Sequence, residues 1–305
     1  MPEEPLISII TPSLNRAGML AGAVESVLSQ GYPRFEHLIV DGGSTDGTLE
    51  LLKKYPHLCV LTGKDRGVYD ALNKGIALAR GEIIGQLNSD DHYGPGAFSS
   101  IGEIFSADND VQAVSAGAQV YASRPDGRPK VLATYPGIRP SELLYRATLG
   151  VPVFNGWFFR RSLFEKIGQY SLDFSLAADR DFLIRCALQS IPSRCLDAVV
   201  YHYRQHPGSL TITDDRGRRV KYIHEALHLA GSYLSLPGSA PSRAVFADWQ
   251  AYLCGELLIA GLIMRNSTLV NEAMQRAKAL SPVWFFRFLY FRRRQQIFLR
   301  RMKTR

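Results

Sequence analysis

Four short apolar runs separated by helix-type stretches fill residues 6–87, and this alternation leaves the chain few architectures. The runs are 6–10, 35–40, 58–62 and 83–87, and the stretches 17–29, 48–55 and 67–80 between them have helical composition. A short run that is mainly apolar reads as a buried strand. Such strands alternating with helices imply βαβ units and a mainly parallel sheet. Right-handed crossovers then bring the strand ends at Thr11, Asp41 and Asn88 to one edge. Ligands bind at that edge in open α/β sheets.

The fourth run ends in Asn88-Ser89-Asp90-Asp91. Two hard oxygen donors there suit Mg²⁺ or Mn²⁺. The competing reading makes Asp90 or Asp91 the cap of a helix starting near Pro95. The second run ends in Asp41-Gly42-Gly43-Ser44-Thr45-Asp46, whose glycines allow close backbone approach to a ligand. Asp46 is placed to cap the next helix; Asp41, at the strand end, is not. In the helix over 67–80, Asp70 and Asn73 share a face, and Asp70 also has the spacing for an ion pair with Lys74.

Residues 95–107 read as a helix, and 111–121 and 130–134 as strands joined through an Asp126-Gly127 hairpin signal. An aromatic stretch, 153–160, precedes a helix over 162–167. Asp179 opens a further helix, where a carboxylate serves either the helix dipole or proton abstraction. A strand over 195–203 leads to Arg204 and His206 in the segment through Thr211. His206 is either a metal or phosphate ligand or a solvated loop residue; Arg204 could neutralise a diphosphate. The breakers at 236–242 separate two later helical stretches.

The net charge of +8 resides in the tail: residues 281–305 hold eight Lys or Arg and no acid, so the rest sums to zero. Trp284, Phe288, Phe291, Phe298 and Met302 fall on one helical face of that tail. Aromatic and basic residues together suit an anionic membrane surface; the alternative is a helix packed on the body. No nucleic-acid motif accompanies the charge, so nucleic acid is not an expected partner. Four scattered cysteines without C-x-x-C spacing argue against a disulfide framework or zinc site and fit a reducing compartment. The acidic start lacks the basic region of a signal peptide, and no apolar run reaches the roughly 18 residues of a membrane span. The expected location is cytoplasmic, with peripheral attachment to the inner membrane face through the tail.

Residues 7–15, 40–48, 65–75 and 87–91 resemble, in order, four motifs of the family 2 glycosyltransferases, in the version of bacterial polysaccharide-assembly members. The resemblance implies a GT-A fold: a Rossmann-like, mixed but mainly parallel sheet flanked by helices. It covers about two thirds of the chain, giving an expected transfer domain over 1–215 and a helical C-terminal region over 216–305. It implies a nucleoside-diphosphate sugar donor, with UDP as the expected nucleotide, and a saccharide or lipid-linked saccharide acceptor. Thr11, Pro12 and Asn15 would lie along the nucleoside, and Asp41 would read the base. Arg66, Asp70 and Asn73 would line the donor pocket. Asn88-Ser89-Asp90 stands at the D-x-D position with Asn for the first Asp, so metal ligation would rest on Asp90, joined by His206. Asp91 would meet metal, ribose or neither. Asp179 matches the first Asp of the family's acid-Asp-x-Asp motif, the base; Ala178 replaces the usual preceding Glu, and Asp181 matches the second Asp, a positioning group. Trp157 either stacks on a sugar or belongs to the core.

One metal site and one base imply a single displacement at the anomeric carbon, with inversion. A nucleotidyltransferase would usually carry a glycine-rich basic loop after the first strand, and 11–16 has no glycine. A binding protein that keeps the pocket without turnover is the rival from another class, and Asn88 leaves room for it.

Overall fold

The computed structural model describes residues 4–123, 128–206 and 215–303. The Asp126-Gly127 turn and the segment 207–211 lie outside the described residues. The first half runs β1 (Ile7–Ser13), α1 (Leu20–Leu28), β2 (Phe35–Asp41), α2 (Thr48–Leu52), β3 (Leu58–Thr62), α3 (Val68–Leu78), β4 (Ile83–Gln86), β5 (His92–Tyr93) and α4 (Ala97–Ala107). Then come β6 (Ala113–Ser123), β7 (Pro129–Tyr135), α5 (Leu143–Thr148), β8 (Trp157–Arg160), α6 (Arg161–Ile167), α7 (Ala178–Leu188) and β9 (Ser193–Gln205). Four helices close the chain: α8 (Arg216–Ser235), α9 (Ala240–Ile263), α10 (Ser267–Lys278) and α11 (Trp284–Lys303).

The strands form one sheet in the order β3-β2-β1-β4-β8-β6-β9-β5, with β7 on β6. The first four are mutually parallel, as the βαβ pattern requires. Because β8 is antiparallel to both β4 and β6, β6 points the same way as β4, and β9 pairs parallel to β6. β5, β7 and β8 run against the rest. The C-terminal ends of β1, β2, β4, β6 and β9 therefore share one edge.

Residues 11–13, expected as loop, continue β1. The β4 pairing stops at Ile10, so Pro12 sits where β1 has outrun that neighbour and its missing N–H leaves no ladder bond unmade. α4 is capped by Gly96 without any side-chain bond, so neither Asp90 nor Asp91 caps it. Trp157 is core: it is 1% exposed and stacks on Phe159 with ring centres 5.7 Å apart.

The aromatic face of the tail is also packed inward, as in the alternative of a helix packed on the body. Phe288 and Met302 are buried, Trp284 and Phe291 lean on the main core, and Phe298 packs near Tyr135. The Phe288 ring occupies the space of a side chain at position 255 of α9, which only glycine vacates. The guanidinium of Arg146 lies 4.4 Å from the centre of the Phe298 ring. Each large apolar side chain buried in this way gains roughly 1.5–3 kcal/mol on leaving water. Among the described residues no helix is long and apolar enough to cross a membrane.

His37, in the middle of β2, is fully buried; its Nε2 meets Thr11 Oγ1 at 2.9 Å and its Nδ1 has no partner. Burial, with His57 nearby, pushes its pKa down to about 3. The unfolded chain takes up this proton near pH 6.5, so the folded state loses stability as pH falls from 6.5 toward 3. The expected slope from this site is about 1.4 kcal/mol per pH unit. Denaturant melts of wild type and His37→Gln between pH 7 and 4.5 check it: the variant should lose that part of the slope, and parallel curves would contradict the assignment.

Candidate active site

Two loops at the C-terminal edge are zipped into one body. Asp41, fully buried at the end of β2, accepts from the Gly43 and Ser44 amides at 3.0 and 2.8 Å and from the Ser44 hydroxyl at 2.6 Å. Ser44 Oγ accepts from the Asn15 amide at 2.7 Å, and Asn15 Oδ1 accepts from the Thr45 amide at 2.9 Å. Asn15 does this from φ 54°, a left-handed conformation that asparagine tolerates better than most side chains. Asp46 accepts from Thr48 as the expected helix cap and also from the Ala17 amide. Thr11, expected along the nucleoside, turns its hydroxyl into the body toward His37, so its side chain positions β1 rather than facing a ligand.

The third loop packs on the second through Asp65, which sequence reasoning passed over. Asp65 Oδ1 accepts from the Gly67 amide, and its Oδ2 would stand 2.7 Å from a Cβ at position 42. A side chain at position 42 would therefore push the Asp65 carboxylate aside. Asp70 accepts from the Arg66 amide at 3.0 Å and from Lys74 at 3.1 Å, and the Arg66 amide bond leads in holding its carboxyl below the usual range. The Arg66 side chain is 73% exposed at the loop tip. Asn73 departs from its expected place in the donor pocket. Its amide is buried and clamps the backbone of Tyr170 with bonds of 2.9 and 3.0 Å.

Beyond β4 the acids divide. Asp91 is 2% exposed and accepts from Tyr201 Oη at 2.6 Å, the Arg204 amide at 2.7 Å and Asn88 Nδ2 at 3.0 Å. Burial first, then the charge of Asp90, pushes its carboxyl up to about 7. Asp91 therefore ties the β4–β5 loop to β9 and faces neither metal nor ribose. The Asn88 departure has a physical reason here: its amide donates to Asp91, where a third carboxylate would only repel. Asp90 points the other way and meets His206 at the end of β9, Oδ2 to Nε2 2.8 Å.

The two groups share a hydrogen bond at this separation, and a cation could take its place. Two adjacent ligands of an octahedral ion with bonds of 2.0–2.1 Å stand about 2.9 Å apart. A carboxylate and an imidazole suit Mn²⁺, and the former suits Mg²⁺. Among the described residues no cluster offers three ligating side chains, so a diphosphate and water would complete the shell.

Asp179 stands in the first turn of α7, which runs back from this edge before β9 begins. Its Oδ1 accepts from the Arg180 amide at 2.7 Å. Burial pushes its carboxyl up, against the opposing pull of Arg180 and a hydrogen bond from Tyr69. Tyr69 opens α3 next to Asp70, and Tyr170 Oη takes a hydrogen bond from Gln86 at the end of β4, so aromatic residues bridge the base to the fourth strand. Asp181 plays the expected holding role: it accepts from Arg185 at 2.9 Å and from Tyr233 of α8 at 2.8 Å.

Glu225 of α8 is the residue the sequence hid. Its carboxylate accepts from the Ser175, Leu176 and Ala177 amides at 3.1, 2.7 and 3.1 Å and from the Ser175 hydroxyl at 2.7 Å. It fixes the loop that delivers Asp179, and only the tertiary contact between α8 and that loop shows it.

Tyr69→Phe removes a hydroxyl that favours the charged form of Asp179. The acid limb of kcat, already above the ordinary carboxylate range because Asp179 is buried, should move to still higher pH in the variant. A pH–rate profile checks this; an unmoved or lowered limb would contradict the Tyr69 contact.

The profile of the Glycosyl transferase family 2 matches residues 8–168, more than half of the chain. The chain belongs to glycosyl transferase family 2. It is 32% identical over 229 residues to a PGL/p-HBAD biosynthesis glycosyltransferase of Mycobacterium bovis, covering 69% of this chain and 81% of the relative. Two solved structures share the fold. S. aureus TarS 1–349 in complex with UDP-GlcNAc has a TM-score of 0.63 at 16% identity, over 90% of this chain and 82% of that one. The Pyrobaculum calidifontis mannosyltransferase PcManGT in complex with GDP-Man and Mn²⁺ has a TM-score of 0.58 at 20% identity, over 92% and 78%. The family 2 glycosyltransferase assignment, an enzyme with the GT-A fold, is thus the one the four motifs implied.

Proposed function

We propose that this family 2 glycosyltransferase moves a sugar, with inversion, from a nucleoside-diphosphate sugar to a saccharide acceptor in assembly of a cell-envelope glycan or glycolipid. The Asp90–His206 pair carries the reading: two ligand types at cis-ligand spacing, on the sheet edge to which α7 brings Asp179. The M. bovis relative's name supports the glycolipid class, and the sugar nucleotides in the TarS and PcManGT complexes support the donor class. Residues 1–215 serve as the transfer domain.

Asp90 and His206 would hold Mn²⁺ or Mg²⁺, which when bound supplies countercharge to the donor diphosphate. The zipped loops of Asn15, Asp41 and Ser44 shape the nucleoside wall, with Pro12 at its floor. Arg66 on its loop and Arg204 near the end of β9 would flank the phosphates, and Asp70 would orient Arg66. Asp179 takes the proton of the acceptor hydroxyl as its oxygen attacks the anomeric carbon from the face opposite the leaving nucleoside diphosphate. The raised carboxyl makes it a stronger base than an exposed aspartate. A thermal-shift panel of UDP- and GDP-sugars, with and without Mn²⁺, tests the reading. A metal-dependent shift with one nucleotide class is expected; no shift with any would contradict it.

Membrane contact, if the acceptor is lipid-linked, falls to the outer face of α11. Phe286 is 71% and Tyr290 56% exposed, with Leu289, Ile297 and Arg293 along the same side. Such a face suits an anionic lipid surface. Flotation with phosphatidylglycerol liposomes should fall at least fivefold in Phe286→Asp/Leu289→Asp, an order-of-magnitude expectation of roughly 1.5 kcal/mol or more per buried side chain. Equal flotation would remove the role.

A further inference from the structure

The C-terminal helices do more than brace the catalytic half. Glu225 holds the backbone of residues 175–177, just before Asp179. Tyr222 and Arg219 precede it on the same side of α8, each step of three residues rising about 4.5 Å. Both line a cavity of about 210 Å³ bounded by α5, α7, α8, α9 and α11. The cavity therefore begins about one helical turn from the contact that positions the base.

Its walls have the chemistry of a sugar site. Arg180, the neighbour of the base, lies 5.5 Å from the centre of the Tyr222 ring. Its guanidinium is fixed by the carbonyls of Ala147 and Thr148, both at 2.9 Å. Opposite stand Glu256, 6% exposed and ion-paired with Arg219, and the Tyr252–Gln295 hydrogen bond. Aromatic rings offer a flat apolar surface to the C–H face of a pyranose, while carboxylate, amide and guanidinium groups of fixed orientation exchange hydrogen bonds with its hydroxyls. The volume is below the roughly 300 Å³ at which drug-sized pockets begin, so it suits one ring.

We propose that this cavity is an acceptor subsite holding one pyranose unit next to the one whose hydroxyl reacts. The proposal rests on the reading of Asp179 as the base of glycosyl transfer. It makes residues 216–305 part of acceptor selection, with α8 serving both the base loop and the subsite.

Saturation-transfer NMR on the full chain with UDP and Mn²⁺ tests it. The probes are methyl β-D-glucopyranoside, methyl α-D-mannopyranoside and methyl N-acetyl-β-D-glucosaminide. Wild type should transfer saturation to at least one glycoside. Leu299→Trp, which fills the cavity, should lose that signal and keep the UDP signal. Gln295→Ala removes one hydrogen-bonding group and should weaken the same glycoside about tenfold; it decides alone if the larger variant does not fold. No glycoside signal in wild type, or an undiminished one in the folded variants, overturns the subsite. A missing UDP signal beside a retained, variant-sensitive glycoside signal would instead contradict the donor reading and leave the subsite standing.

Discussion

Asp179→Asn is expected to lower kcat by about 10²–10⁴-fold, the usual contribution of a general base. The amide matches the carboxylate in shape and can still accept from the Arg180 amide, but it cannot take a proton from the acceptor. Burial already disfavours the charge on Asp179, so the neutral variant should melt no lower than wild type. UDP affinity should stay within about twofold, because the lost interaction is made only in the transition state. Single-turnover transfer and a UDP titration separate these quantities. A wild-type kcat in the variant would mean that another group is the base; a large loss of UDP binding would mean that Asp179 shapes the donor site.

The second large effect is expected at Asp90. Asp90→Ala should weaken Mn²⁺-dependent donor binding by more than the roughly 10–100-fold that loss of an outer-shell group costs. His206→Ala should weaken it less, because an imidazole brings no negative charge to the ion. Asp91→Asn makes the contrast. Its carboxyl is enclosed by Tyr201, Arg204 and Asn88, and its charge is already disfavoured by burial. That variant should retain metal-dependent donor binding. Isothermal titration of UDP with and without Mn²⁺ reads all three. Equal losses at Asp90 and Asp91 would mean that the two acids act together, against the division of roles seen here.

The strand runs in the first 91 residues were legible because each is mainly apolar and the second and fourth end in acids, which marks strand, turn and sheet edge together. The meeting of Asp90 with His206 was legible through the family resemblance, across 116 residues of sequence. Three side chains turn elsewhere than expected for a common reason. Thr11, Asn73 and Asp91 sit where a ligand group is expected, but each side chain satisfies a buried partner, and a sequence does not display whether a polar group faces in or out. The tail left two readings open. Its aromatic stripe predicts an amphipathic helix equally well on a membrane or on α9, and Gly255, the notch that receives Phe288, lies 33 residues upstream. Glu225 was invisible because its partners are backbone amides, which carry no residue signature.

The central claim is that Asp90 and His206 together hold a divalent ion against the donor diphosphate. Anomalous diffraction from crystals grown with UDP and Mn²⁺ measures this directly. The account predicts one manganese peak within coordination distance of Asp90 Oδ2, His206 Nε2 and the diphosphate. A peak elsewhere, or UDP bound with no manganese at that pair, would contradict it.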